Sequence, residues 1–322
     1  MGGASKEAKC ASSAEPRAWT REELEQARRW VGKLQRRIAK AQKEKKYNKV
    51  KALQHLLVTS KAAKKLAVER VTSNKGKRTA GVDGVTWQTN AAKAQAIGSL
   101  KRRGYKPKPL KRVYIPKKNG KKRPLGIPTM KDRAMQALYQ MASEPTAEAT
   151  ADRNSYGFRK YRSCQDAIDA LHRWLSKDVS PEWVLEGDIK GCFDHISHEW
   201  LVRNVRTDSV ILHKWLASGV IYNRLLTPTT EGTPQGGIIS PTLANLTLDG
   251  MERLVKSRFP SSRPKGTKGK WQTKKVNLVR YADDFIVTAA DKETNIGTLE
   301  YAYSVMVFGT YIGHLQLDGR VE

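Results

Sequence analysis

The sequence predicts an α+β protein. Apolar residues recur at three- and four-residue spacing through residues 24–71, whereas from residue 110 onward short β-branched runs bracket turn signals and alternate with further helical patterns. Charge divides along the chain in a similar way. Residues 1–160 hold 40 Lys and Arg against 12 Asp and Glu, a net +28, while residues 161–322 hold 20 against 19, a net +1. A basic half joined to a balanced half fits a polyanion-gripping region attached to one that can hold carboxylates close together.

Residues 1–19, rich in small side chains, are expected to form a disordered leader. Thr20-Arg21-Glu22-Glu23 then matches a helix capping box, with Thr20 as cap and Glu23 reaching back. Leu24, Ala27, Trp30, Leu34, Ile38 and Ala41 make one apolar face, and Lys33, Arg36, Arg37, Lys40, Lys43, Lys45 and Lys46 populate the remaining surface. A second helix is predicted on Val50, Leu53, Leu57, Ala63, Ala67 and Val71, stopping near Asn74-Lys75-Gly76. Gly81-Val82-Asp83-Gly84 is a turn leading to a short helix that ends at Gly104. Residues 20–104 thus read as a basic helical extension suited to phosphates, although a solvated charged face produces the same pattern.

Residues 101–133 are the most basic segment, with 14 Lys and Arg and a single acid, Asp132. Within it, Leu110–Pro116 and Lys122–Pro128 are strand candidates joined by Lys118-Asn119-Gly120-Lys121, and Asn-Gly is a strong hairpin signal. Lys131–Ala142 reads as a helix ended by Pro145. In the turn Ser155-Tyr156-Gly157-Phe158-Arg159 both rings are expected to pack into a core, base stacking being the alternative. Ser163 caps a helix carrying Ala167, Ile168, Leu171, Trp174 and Leu175. Trp183–Ile189 is a strand with Asp188 near its end. His195 and His198 lack a third ligand at a familiar spacing and read as helix-start or packing residues. Val210–Leu216 is helical and Ile221–Thr230 a strand or hairpin. The loop Glu231-Gly232-Thr233-Pro234-Gln235-Gly236-Gly237 ends at Ser240-Pro241, a cap followed by proline at the first helical position, and Leu243, Leu246, Met251 and Leu254 carry the helix that follows. After a polar, basic loop at 260–275, Asn277–Arg280 and Phe285–Thr288 flank Tyr281-Ala282-Asp283-Asp284 as a hairpin with acids at its turn.

Three cysteines, Cys10, Cys164 and Cys192, show no paired or metal-type spacing, which argues against a disulfide framework or structural zinc and for a reducing compartment. No run approaches bilayer-spanning length, no cleavable apolar leader is visible, and no amphipathic apolar stripe of the strength a membrane surface requires accompanies the charge. Nucleic acid rather than membrane is the better-matched polyanion, and a cytoplasmic location is expected.

Taken alone, Asp283-Asp284 reads more readily as a solvated turn than as a metal site. Its position behind Asp188 and the glycine-rich loop changes that, because two acidic strand ends on one sheet are what nucleotidyl transfer by two Mg²⁺ ions requires. Gly187-Asp188-Ile189-Lys190-Gly191-Cys192-Phe193-Asp194, Gly232-Thr233-Pro234-Gln235-Gly236-Gly237-Ile238-Ile239-Ser240-Pro241 and Tyr281-Ala282-Asp283-Asp284 resemble successive palm motifs of reverse transcriptases. Arg112–Lys117 with Arg123–Pro128, Ser155–Arg159 and Ala80–Val85 are similar to finger and upstream motifs of the group II intron-encoded reverse transcriptase/maturase proteins. The resemblance runs collinearly over residues 20–291, which is more specific than any single motif.

The resemblance implies right-hand polymerase fingers and palm, an antiparallel palm sheet backed by helices, over residues 105–292, preceded by the basic extension. It implies that Asp188, Asp283 and Asp284 are catalytic and that two Mg²⁺ ions are held by Asp188, the Ile189 carbonyl and Asp283, with Asp284 close by. Phe193 would exclude a 2′-hydroxyl, Lys117 and Arg123 would contact the triphosphate, and Gln235 and Gly236 would let backbone approach the nucleotide. The partners implied are an intron RNA template, a DNA or RNA primer and deoxynucleoside triphosphates. An RNA-binding splicing cofactor without polymerase activity is the alternative. Residues 293–322 match none of the family's continuation and are expected to form a tail outside its pattern, the chain ending short of a thumb and maturase domain.

Overall fold

The structure, a computed structural model, describes residues 17–116, 120–260, 273–308 and 316–321. It opens with helices α1 (Arg21–Lys43), α2 (Tyr47–Thr59), α3 (Lys61–Ser73) and α4 (Asn90–Ser99). Thr20 caps α1 by accepting from Glu23 N at 3.2 Å, and the Glu23 carboxylate also pairs with Arg17 and Lys65. The apolar face of α1 is Ala27, Val31, Leu34, Ile38 and Ala41; Trp30, expected on it, is 37% exposed. The single helix expected over 50–71 is two, broken at Ser60, which leaves the helical conformation (ψ 141°) so that its hydroxyl can accept from Ala63 N. Apolar spacing runs on across the break because both helices bury the same kind of face, and only the cap marks it.

Next come β1 (Leu110–Pro116), β2 (Lys122–Ile127) and α5 (Met130–Thr150). Helix α5 runs through Pro145, where termination was expected. Proline withholds the N–H that the Met141 carbonyl would otherwise receive. Gln35 of α1 donates its side-chain N–H to that carbonyl at 2.8 Å, and Gln54 donates to the neighbouring Ala142 carbonyl at 3.1 Å. Asp132, the lone acid of the basic segment, is buried where the Tyr105 hydroxyl, the Thr129 hydroxyl and Lys108 N all donate to it. It pins the start of α5 to the chain entering β1.

The remaining elements are α6 (Cys164–Leu175), β3 (Trp183–Lys190), α7 (Cys192–His195), α8 (His198–Asn204), α9 (Ser209–Leu216), β4 (Val220–Tyr222), β5 (Leu225–Thr227), α10 (Ser240–Leu248), α11 (Met251–Arg258), β6 (Asn277–Tyr281), β7 (Asp284–Ala289), α12 (Lys292–Phe308) and β8 (Gln316–Val321). The helix expected from Ser240 through Leu254 is split into α10 and α11 at Asp249-Gly250, with Gly250 at φ 115°. Ser240 does not cap α10; its hydroxyl donates to the Pro234 carbonyl. On α6 the buried residues are Ala167 and Ala170, whereas Ile168 is 58% exposed and Leu175 lies at the surface.

Two four-stranded sheets result, ordered β2-β1-β4-β5 and β6-β7-β3-β8. The first contains an antiparallel β1–β2 hairpin and a short parallel contact of β1 with β4. In the second, every pairing is antiparallel. Leu185, Ile189, Leu278, Phe285, Val287 and Ala289 bury one face of that sheet against Leu248, Met251, Val255 and Ala302, while Val279 on the opposite face meets Ala167 and Ala170 of α6. A larger core joins α1–α5 with α8–α10. The segment read as outside the family pattern supplies structure here: α12 sends Ala302 into the core and β8 lies along β3.

Candidate active site

Strand alternation places acids on one face of the second sheet. Residues 185, 187 and 189 of β3 point into the core, so Glu186, Asp188 and Lys190 point away from it. The same alternation on β7 buries Phe285 and Val287 and leaves Asp284 exposed. Register then fixes their meeting: Asp188 stands directly opposite Asp284, and Glu186 opposite Ile286. Asp283 occupies the tight turn between β6 and β7, and its carbonyl accepts from Ile189 N at 3.2 Å. Burial raises the Asp284 carboxyl above its ordinary range, and the charges of Asp283, Asp188 and Glu186 push in the same direction. Cys192, buried just past β3, is pushed up to about 12 by burial with help from Asp283, Asp188 and Asp194, and so stays a neutral thiol.

The turn is held from below. Ala282 sits in the left-handed region at φ 60° with its backbone against Gly157, where a Cβ would come within 2.2 Å of Ala282 N. Tyr156 N donates to the Arg280 carbonyl and Arg280 N to the Asn154 carbonyl, tying the 154–157 segment to β6. Arg280 is fully buried; it donates through Nη1 to Asn245 Oδ1 (3.0 Å) and the Ala282 carbonyl (2.9 Å), and through Nη2 to Asp249 Oδ1 (2.8 Å). Burial pushes the Asp249 carboxyl up to about 6, against the downward pull of Arg280, and leaves it ionised at neutral pH. Arg159 grips Glu148 with two bonds and donates to the Asp152 and Ser155 carbonyls.

A cleft of about 380 Å³ lies against the first sheet, lined by Arg112 and Tyr114 of β1, Asp194 of α7, and Glu231, Thr233 and Gln235 of the glycine-rich loop among others; the paired acids of the second sheet do not line it. Residues 232–235 of that loop form one wall. Gln235 donates its side-chain N–H to the Asp194 carboxylate at 3.2 Å, and its carbonyl accepts from Gly126 N of β2 at 2.7 Å. Gly236, at φ 111°, lies so close to β2 that a Cβ would stand 2.9 Å from the Gly126 carbonyl oxygen.

The structure therefore brings Asp188, Ile189, Asp283 and Asp284 together and joins Gln235 and Gly236 to the strand that carries Arg123. Arg123 is exposed on β2 opposite Ile115. Lys117 lies outside the described residues. Phe193 is half-buried, its ring edge-on to Phe158 at 6.0 Å between centroids. Tyr156 is buried as expected, but Phe158 is 56% exposed, because the left-handed backbone at Phe158 (φ 59°) turns its ring outward. His195 faces Glu231 and His198 bonds to the Gly232 carbonyl, both as packing residues. Sequence reasoning missed Arg280, Asn245 and Asp249. The available signal was an arginine directly after the apolar pair Leu278-Val279 and an amide and an acid four residues apart at the end of α10.

An oxygen-only donor set suits a hard divalent cation. Asp188 and Asp284 on neighbouring strands, with Asp283 in the adjoining turn, supply oxygens of that kind. No tight group of three or more His, Cys, Asp or Glu side chains is preassembled among the described residues.

Finger-like and palm-like sheets joined by a glycine-rich loop, with acids paired across the second sheet, define a template-directed polymerase architecture. Sequence comparison agrees: the family described as "Reverse transcriptase (RNA-dependent DNA polymerase)" matches residues 115–310, and that described as "N-terminal domain of reverse transcriptase" matches residues 19–100. The chain belongs to the reverse transcriptase family. It is 33% identical over 276 residues to Protein YkfC of Escherichia coli K12, an alignment covering 76% of this chain and 72% of that protein. It is 37% identical over 211 residues to the group II intron-encoded protein LtrA of Lactococcus lactis, covering 62% of this chain and 35% of LtrA. A 91 kDa protein encoded in the cob intron of Schizosaccharomyces pombe is 31% identical over 210 residues, covering 62% of this chain and 26% of that protein. Enzymes of this family use divalent metal ions and act on nucleic acid templates, primers and nucleotides.

Proposed function

We propose that this chain is the polymerase portion of a group II intron reverse transcriptase, extending a DNA or RNA primer on intron RNA with deoxynucleoside triphosphates. The observation that carries this reading is the cross-strand pairing of Asp188 with Asp284, with Asp283 in the adjoining turn, inside the segment that the reverse transcriptase family matches. Asp188, the Ile189 carbonyl and Asp283, with Asp284 beside them, would hold two Mg²⁺ ions, which would supply activation of the primer 3′-hydroxyl and offset charge on the departing pyrophosphate. The protein's own residues bind and orient. Arg123, from β2, and Lys117 bring positive charge to the triphosphate, and such charge counts for more where water is excluded. The Phe193 ring blocks the space a 2′-hydroxyl would need. Gln235, braced against Asp194, holds the glycine-rich loop against the nucleotide side of the cleft. Intron RNA gripped by the basic helices and a cytoplasmic location belong to the same proposal.

Primer extension on an RNA template in Mg²⁺ tests it. The parent chain should incorporate deoxynucleotides, chelation should stop incorporation, and Asp188→Ala or Asp283→Ala should each lower the rate by about 10³-fold or more. Activity that survives Asp283→Ala removes that residue from the metal site. Phe193→Ala should raise ribonucleotide use relative to deoxyribonucleotide use. Salt-sensitive RNA binding with no incorporation at all would instead favour a splicing cofactor.

A further inference from the structure

We infer that Arg280, clamped by Asn245 of α10 and by Asp249 just past its end, is a positioning residue that sets the conformation of the catalytic turn; the inference rests on the polymerase reading above. Three observations carry it. The Arg280 side chain is fully buried directly beneath the turn, and one of its Nη1 bonds goes to the Ala282 carbonyl, the peptide that leads into Asp283. Ala282 holds a left-handed backbone that an alanine rarely adopts, so an outside contact must keep it there. Arg280 cannot drift, because Asn245 Oδ1 in the last turn of α10 accepts from Nη1 and Oδ1 of Asp249, the residue that ends that helix, accepts from Nη2. Its Nε finds no partner among the described residues, so the two terminal nitrogens carry its bonding.

Asn245 also works in the opposite direction, donating through Nδ2 to the Gly157 carbonyl at 2.9 Å. One amide thus aligns both the arginine under the turn and the glycine pressed against it. The chain of contacts runs from α10 through Arg280 and Gly157 to Ala282, and from the adjoining Asp283 carbonyl to Ile189 N on the strand that presents Asp188. Two carboxylates on different strands are in this way set relative to each other by a helix that bears neither.

Arg280→Lys keeps the positive charge opposite Asp249 but cannot fork between three acceptors. In primer extension it should lower kcat about tenfold to a hundredfold and raise the Mg²⁺ concentration needed for half-maximal rate, with KM for the primer-template within about twofold of the parent. A second readout needs no substrate: amide hydrogen exchange in chain labelled at isoleucine should show Ile189 N–H losing protection while Ile211 and Ile239 keep theirs. A purely structural role would lower Tm and the active fraction and leave Mg²⁺ dependence and Ile189 exchange as in the parent. Should Arg280→Lys fail to fold, Asn245→Ala, which keeps the Arg280–Asp249 pair, is read in the same two ways. Parental Mg²⁺ dependence together with parental Ile189 exchange in the folded variant overturns the inference. A parent chain that incorporates nothing counts against the polymerase reading instead, and the exchange measurement still decides the positioning role.

Discussion

At the scale of single residues, the catalytic turn depends on atoms that are missing as much as on those present. Gly157 admits the Ala282 backbone where any Cβ would collide with it. Gly157→Ala should therefore cost about 1–3 kcal/mol of stability and most of the polymerase activity, measured by urea unfolding and primer extension on the same preparation. A turn that tolerated the methyl group with full activity would show that the close approach is dispensable. Cysteine chemistry gives a second check. Cys164 is exposed at the first residue of α6, whereas Cys192 is buried and held as a neutral thiol near the carboxylates. Alkylation at pH 8 should label Cys164 quickly and reach Cys192 only after denaturation, as peptide mass analysis would reveal.

At the scale of elements, breaks and continuations are settled by side-chain partners from elsewhere in the chain. Helix α5 passes through Pro145 because Gln35 satisfies the carbonyl that proline orphans. Gln35→Ala should destabilise the fold by about 1–2 kcal/mol, and much less in a Pro145→Ala background where residue 145 regains its N–H. Purely additive losses in the double-mutant cycle would break the link between the two. The α2–α3 break rests on a local cap, so Ser60→Ala should cost about 1 kcal/mol regardless of either change. The two-helix break was legible in principle from Ser60, but the apolar spacing on either side masked it. Trp30 was misplaced for a related reason: periodicity allowed Trp30 or Val31 on the buried face, and only the packing of α1 against α3 and α5 chose.

At the scale of the whole molecule, charge and chemistry occupy different parts of the chain. The excess of +28 lies in residues 1–160, while the paired acids lie in strands of the balanced half. RNA binding should accordingly weaken by about 10³-fold or more between 50 and 200 mM salt if six or more phosphates are contacted. Charge reversal at Lys33, Arg36 and Arg37, all exposed on α1, should flatten that dependence and leave the Mg²⁺ requirement of the catalytic step unchanged. An unchanged salt slope in a titration of the triple variant would place the RNA contacts on another surface. Residues 293–322 show how far local pattern reaches. Their sequence offered no strand signal, yet β8 completes the palm sheet beside β3 through backbone bonds that any sequence of suitable shape can make.

The sequence by itself determined the α+β class, the division of charge, and the order of acid-bearing strand, glycine-rich loop and acidic hairpin, because periodicity, turn chemistry and motif spacing are local properties. Tertiary structure alone decided that Asp188 faces Asp284 and that Arg280 lies beneath the turn between Asn245 and Asp249. It also decided that β1 takes β4 as a parallel neighbour. These depend on strand register and on partners many residues away, where burial and hydrogen-bond satisfaction choose among conformations that the local sequence leaves equivalent.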